Sequence, residues 1–150
     1  MDEAAAMAAF RTLDMFAGFS DEQLRLLAFV SEDVSLRAGD ELYAAGDTAD
    51  GAYVLVSGTL EAGPQADQTG NRFRIEPVSL IGELGLMLTR PRSTTVCAIR
   101  GSELLHVPRE PFLKLLRTDP ALAEDVAATL RAELARYLDT IVQLDGRFSG

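Results

Sequence analysis

Tryptophan is absent from these 150 residues, and cysteine and histidine occur once each. A single thiol, Cys97, excludes an internal disulfide and fits a reducing compartment. Its expected role is that of a buried strand thiol. A single imidazole, His106, is too few for the two or three histidines and a carboxylate that hold a metal in jelly-roll enzymes, so it is read as a half-buried strand residue. Lysine is nearly missing too, with Lys114 alone, and the formal net charge is −9. The arginines are scattered, which argues against a nucleic-acid surface, since that needs clustered positive charge. No apolar run approaches the ~20 residues needed to cross a bilayer. The start, Met1-Asp2-Glu3-Ala4, is acidic where an export signal would be basic. A cytoplasmic location without membrane insertion is therefore expected. P-loops, zinc-spaced cysteines, G-x-S-x-G and paired catalytic groups are also missing, so no enzymatic activity is expected.

What is present reads as one domain, 1–150, in three stretches. Residues 1–30 form a helical preface. Met7, Phe10, Leu13 and Phe16 recur at three-residue steps and predict an amphipathic helix over 2–16. Ser20-Asp-Glu-Gln23 has the form of a capping box for a second helix. Over 33–108 the period changes to two. Short strand candidates lie at 34–37, 41–44, 52–57, 59–62, 72–75, 95–99 and 103–107, separated by glycine turns that include Gly39, Gly46 and Gly58. This spacing predicts a β-sandwich or barrel and not a parallel sheet. The polar run 63–71 reads as a mobile hairpin tip, and Glu76-Pro77-Val78-Ser79 as a turn. Residues 111–145 form C-terminal helices: a short one from Pro111, then a long one capped by Asp119 before Pro120 and ending near Leu144, with Gly146 as its C-cap.

The chemistry concentrates in 82–96, Gly82-Glu-Leu-Gly-Leu-Met-Leu-Thr-Arg-Pro-Arg-Ser-Thr-Thr-Val96. A short helix start offers unpaired N–H groups to an anion. Arg92, after a proline that fixes the backbone, carries a planar fork of donors for the same anion. Glu83 accepts hydrogen bonds only, so it suits a sugar hydroxyl better than a phosphate. One acid, one arginine and one helix start together describe a site for a small sugar phosphate. The bland reading of the same residues is a surface ion pair between Glu83 and Arg92, worth about 0–1 kcal/mol.

These residues resemble the phosphate-binding cassette of the cyclic nucleotide-binding domain family, which includes the sensor domain of catabolite activator protein, regulatory subunits of cyclic AMP-dependent kinase and cyclic nucleotide-gated channels. The family pattern runs F-G-E-[LI]-A-L, a spacer, then P-R-[AST]-A-T-V. Here it is Ile81-Gly82-Glu83-Leu84-Gly85-Leu86, a spacer, then Pro91-Arg92-Ser93-Thr94-Thr95-Val96. The resemblance implies a jelly-roll β-barrel, mainly β, with N-terminal helices, a short cassette helix and a long C-terminal lid helix. It implies that Glu83 holds the ribose 2′-hydroxyl and Arg92 the cyclic phosphate. Backbone donors around Gly82 to Leu84 would join them, together with Ser93 and Thr94. Arg136 and Tyr137 on the last helix become candidates to touch the base. The ligand is cyclic AMP or cyclic GMP, with cyclic AMP favoured by Gly82-Glu-Leu-Gly-Leu86, and no cofactor is implied.

Two departures from the pattern stand out. Glu76-Pro77-Val78-Ser79 replaces the usual Gly-Asp before the cassette, and Thr94 stands where alanine is commoner. The expected output is movement of cassette and last helix, read by an effector protein not identifiable from this chain. A homodimer seam is the alternative use of the last helix, whose Leu122, Val126, Leu130, Leu134, Leu138 and Ile141 share one face. The last helix closes the sequence, so DNA-reading helices are not expected. The two competing readings are a ligand-free structural or dimerisation module of the same fold and a cupin-like metal enzyme.

Overall fold

The computed structural model describes residues 1–64 and 72–148, with side chains as far as 136. The chain runs α1 (Glu3–Arg11), a 3-10 turn (Asp14–Phe16), α2 (Asp21–Val30), β1 (Glu32–Leu36), β2 (Glu41–Tyr43), β3 (Gly51–Ser57) and β4 (Leu60–Gly63). It continues through β5 (Phe73–Ile75), β6 (Ser79–Ile81), a cassette 3-10 turn (Glu83–Leu86), β7 (Thr95–Ala98), β8 (Ser102–Pro108), α3 (Arg109–Thr118) and α4 (Pro120–Phe148). The strands form two four-stranded sheets, ordered β1-β8-β3-β6 and β2-β7-β4-β5. Every pairing among the described strands is antiparallel. The fold is thus mainly antiparallel β with flanking helices. No strand pairing among the described residues links one sheet to the other, so the hydrogen-bonded barrel is open.

The period-two pattern explains how the sheets bury their faces. On β3, Ala52 and Val54 point to a cluster under the helices, whereas Tyr53 and Leu55 point between the sheets. On β8, Leu105 and Val107 join the helical cluster and Leu104 the inter-sheet one. The helical cluster is aromatic: Phe16 lies 5.0 Å from Phe10 and 5.3 Å from Phe19 by ring centroids, and Phe19 stacks on Phe112 at 6.0 Å. The preface and α3 are thereby fastened to the outer face of the first sheet. The space between the sheets is apolar around Leu55, Leu60, Val96 and Leu104. Tyr43 and Tyr53, packed against that cluster, begin its polar end.

Several local expectations hold. Ser20 accepts from Gln23 N while Gln23 returns to Ser20 N, completing the capping box. Asp119 accepts from Leu122 N at 3.1 Å and from Gln23 Nε2 at 3.0 Å, tying α4 to α2. Both hydrogen bonds hold the Asp119 carboxyl below its ordinary range, the backbone one most. Gly39, Gly46 and Gly58 all have positive φ.

Others are corrected. The predicted helix over 2–16 stops at Arg11, where Thr12 turns back on Ala9 O, and resumes as the 3-10 turn. That break folds the ring of Phe16 against Phe10 instead of one turn beyond it. The stretch read as a turn before the cassette leads directly into β6, whose Ser79–Ile81 pairs with β3. Three residues after a proline are too few to show a period, and only the partner strand reveals them. The short helix begins at Arg109, ahead of Pro111, which sits in its first turn. Gly146 does not cap α4, because the helix continues through it to Phe148. Leu122 and Val126 are buried, but Leu134 is 47% exposed, so the apolar face of α4 leaves the body of the protein. Most of the predicted hairpin tip, 65–71, and the side chains of Leu138 and Ile141 lie outside the described residues.

Candidate functional site

The cassette enters through Gly82, whose φ of +70° is a left-handed conformation that glycine adopts cheaply. A side chain there would strike Arg92 Nη1, so the turn needs glycine for space as well as for φ. Gly85 is equally constrained, since a Cβ would run into Gly51 O. Between them the 3-10 turn closes with Gly85 N donating to Gly82 O at 2.9 Å. The exit is fixed by the loop before β3. Arg92 N donates to Asp47 O at 2.7 Å, Gly46 N to Arg92 O at 2.8 Å, and Thr48 bridges Pro91. Pro91 removes a donor where none is needed, fixes its own φ and narrows the backbone of Arg90 before it.

Held this way, the Arg92 side chain turns inward and is only 8% exposed. Its Nη2 donates to Gly51 O at 3.0 Å and its Nη1 reaches Gly82 O at 3.5 Å. The guanidinium carbon lies 4.4 Å from the Tyr43 ring centroid and 5.7 Å from that of Tyr53. The carboxylate it meets is that of Asp50, at 3.9 Å, which also receives His106 Nε2 at 3.1 Å. No ion pair joins Arg92 to Glu83 among the described residues, so the surface-pair reading of this cassette is corrected. A buried cation in this arrangement is costly unless its donors are used. Two carbonyls accept from it, two ring faces flank it, and the Asp50 carboxylate pairs with it at the long distance of 3.9 Å. Burial is the main cause raising the Tyr43 phenol above its ordinary value; Arg92 and a hydrogen bond with Thr94 work against it. Burial likewise raises Tyr53, here with Asp50 adding to it.

Glu83 faces elsewhere. It lines a cavity of about 460 Å³ with Leu13, Asp14, Ser79, Glu133 and Arg136. Its carboxyl shares that cavity with the carboxyl of Glu133 on α4, whose pKa is pushed up to about 7. Burial is the first cause, followed by the hydrogen bond and charge of Glu83, with Arg136 opposing. The structure therefore brings Gly82 and Arg92 together, sets Thr94 beside Tyr43, leaves Ser93 exposed, and directs Glu83 toward the last helix. Leu84 is 48% exposed. Arg136 lines the Glu83 cavity; the side chain of Tyr137 lies outside the described residues. Arg90, before the proline, is exposed.

Sequence reasoning missed Tyr43, Tyr53, Asp50 and Arg109. Arg109 Nη1 donates to Ala49 O at 2.8 Å, Gly85 O at 3.1 Å and Leu88 O at 3.2 Å, clasping the cassette to the start of α3. Alternation along β3 marks Tyr53 as inward-facing, but nothing local says which inward residues meet Arg92. His106 is a half-buried strand residue, as read, and Cys97 is half-buried on β7, its thiol raised chiefly by burial. No group of three His, Cys, Asp or Glu side chains suited to a metal occurs among the described residues.

The profile of the cyclic nucleotide-binding domain matches residues 33–119, more than half of the chain. The chain belongs to the cyclic nucleotide-binding domain family. That family of regulatory binding modules accounts for the two sheets, the cassette and the flanking helices together. A cyclic nucleotide-binding-like protein of Brucella abortus is 34% identical with a TM-score of 0.66, over 75% of this chain and 97% of that one. The catabolite activator protein of Thermus thermophilus is 26% identical with a TM-score of 0.74, over 88% of this chain and 62% of that one. Among curated sequences, an uncharacterised NTE family protein of Mycobacterium tuberculosis is 33% identical over 134 residues, 89% of this chain. This chain spans only 22% of that relative's length. No helix among the described residues is long and apolar enough to cross a membrane.

Proposed function

We propose that this cyclic nucleotide-binding domain is a receptor for cyclic AMP, with cyclic GMP the weaker ligand. Arg92 would hold the cyclic phosphate, assisted by backbone N–H groups from Gly82 to Leu84 and by Ser93 and Thr94. Glu83 would take the ribose 2′-hydroxyl, and Arg136 or Tyr137 the base. The observation that carries the reading is the buried Arg92 guanidinium, sited by the cassette, whose charged partner among the described residues is the exposed Asp50 carboxylate at 3.9 Å. A phosphate arriving there gives two charge-assisted hydrogen bonds, shorter and stronger than those to Gly51 O and Gly82 O. Exchanging carbonyls for phosphate frees the cassette turn, and Arg109 links that turn to α3. Ligand energy would thus shift the cassette and the last helices between two arrangements, and a separate effector protein or a second copy of the chain would read the change. The domain itself would neither catalyse nor bind nucleic acid. Its proposed extent is 1–150, with 1–30, 33–108 and 111–145 as preface, barrel and lid. In this reading the two sheets close as a jelly-roll barrel about the ligand in a cytoplasmic setting.

Calorimetric titration with cyclic AMP and cyclic GMP side by side tests this. Saturable binding with cyclic AMP tighter is expected. Tenfold tighter cyclic GMP overturns the base preference, and heat from neither overturns the receptor. One observation favours a second reading, a ligand-free structural module: the donors of Arg92 and the carboxyl of Glu83 already have partners within the protein. Mass spectrometry of small molecules released by heating purified protein separates the two, since a receptor carries nucleotide and the structural module none.

A further inference from the structure

The contact between Glu83 and Glu133 is the feature that the receptor reading leaves unused. Two carboxyl groups line one cavity across the gap between the cassette and α4, where only a shared proton makes their approach attractive. Glu133 Oε2 is shielded from solvent and finds no donor among the described residues, as suits an acid that carries the shared proton. Among the described residues, the charged groups facing Glu133 are Glu83 from the cassette, Asp14 from the preface turn and Arg136 one helical turn along α4. Two of the three are acids. Ser79 and Leu80 of β6 complete the wall without adding charge. The position on α4 is also telling. The helix is anchored through Leu122 and Val126, while Leu134 is already half-exposed, so Glu133 sits where the helix departs from the body.

We propose that Glu133 is a positioning residue that shares a proton with Glu83, latches α4 to the cassette, and competes with the ligand's ribose hydroxyl for the Glu83 carboxyl. The competition rests on the receptor reading above, whereas the proton-shared contact does not. Protonated Glu133 donates to Glu83 and holds the helix down. With Glu133 ionised, two like charges separate and Glu83 is released to accept from a sugar. The sign follows from the raised pKa of about 7. The docked form binds the proton more tightly than the open form, where Glu133 returns to its ordinary value. Docking is therefore favoured below the ordinary glutamate range, and the advantage is lost as pH rises through about 7. Ligand binding, which opens the latch, should strengthen over the same interval.

Two measurements on the whole chain test the inference. The first follows glutamate side-chain carboxyl carbons by NMR from pH 4 to 8. One glutamate should titrate near 7, vanish from the spectrum in Glu133→Gln, and titrate clearly lower in Glu83→Ala, with burial keeping it above the ordinary range. If no glutamate titrates above the ordinary range, or Glu83→Ala leaves the high one in place, the shared proton is refuted. The second is calorimetric binding of cyclic AMP at pH 5.5 and 7.5. Wild-type affinity should rise about tenfold between them, as one linked proton allows. Glu133→Gln keeps a donor that cannot titrate, so its affinity should stay weak at both values. Glu133→Ala removes the latch, and its affinity should stay tight at both. A variant that keeps the wild-type pH dependence overturns the competition. Failure of wild type to bind at either pH overturns the receptor reading and the competition with it, and leaves the carboxyl titration to decide the contact alone.

Discussion

Arg92 and Glu83 belong to one cassette and are held in opposite ways. Arg92 is buried, its backbone pinned by Asp47 and Gly46 and its guanidinium enclosed by Tyr43, Tyr53 and two carbonyls. Glu83 is only half-buried and faces a second acid on a helix that is leaving the protein surface. The arginine half is built from many short contacts within the sheet framework. The acid half depends on one contact between elements and on one proton. A rigid group for the phosphate beside a switchable group for the sugar is a way to combine affinity with signalling, because only the second half need move.

The comparison can be broken most severely at Gly82. Gly82→Val adds a branched side chain at φ +70° and displaces Arg92 from its carbonyls. Left-handed strain of about 1–2 kcal/mol and unpaired buried groups of about 1–3 kcal/mol give a loss near 3 kcal/mol. Thermal unfolding should show it as a fall of roughly 6–12 °C. Leu84→Ala, two residues on and half-exposed, should stay within about 0.5 kcal/mol. Equal losses for the two would mean that the cassette is not rigid on the arginine side.

A smaller effect is expected on the acid side. If Glu83 accepts from the ribose, 2′-deoxy cyclic AMP should bind roughly tenfold more weakly than cyclic AMP, since a hydrogen bond to a charged group is worth about 1.5–3 kcal/mol. Competition binding measures the ratio, and identical affinities would remove Glu83 from the site. Smaller still is the ring beneath Arg92. Tyr43→Leu removes a cation–π contact of about 0.5–2 kcal/mol and should weaken cyclic AMP binding several-fold. Tyr43→Phe keeps the ring face and should cost less, although it loses the hydroxyl contact with Thr94. The two variants sharpen the account of the arginine niche if they separate, and weaken it if they do not.

The strand pattern and the cassette were legible in the sequence because both are local. Alternation over Ala52–Ser57, a Ser20–Gln23 capping box and Asp119 before Pro120 each fit within a few residues. The cassette was found because Gly82, Glu83, Pro91 and Arg92 keep a fixed spacing. What was missed is non-local. Tyr53 reaches Arg92 across 39 positions and Tyr43 across 49, and only the pairing of strands places them there. Arg109 bonds to carbonyls, which leave no side-chain signature in a sequence. Glu133 was passed over because its importance lies in a partner 50 positions away. The direction of Glu83 was invisible for the same reason: the cassette fixes where its backbone is, and α4 decides where its carboxyl goes.

The receptor account stands on Arg92, and a thermal-shift comparison with cyclic AMP tests it most directly. Ligand at about a hundred times its dissociation constant adds roughly 2.7 kcal/mol to stability, a melting rise of about 5–11 °C in a chain of this size. Wild type and Arg90→Ala should both show that rise. Arg92→Ala removes two charge-assisted hydrogen bonds, about 3 kcal/mol or a hundredfold in affinity, and at the same ligand concentration should show little of it. Arg92→Lys should recover part, because a point charge cannot copy the guanidinium fork. A folded Arg92→Ala protein that keeps the full rise would place the phosphate somewhere else and contradict the account.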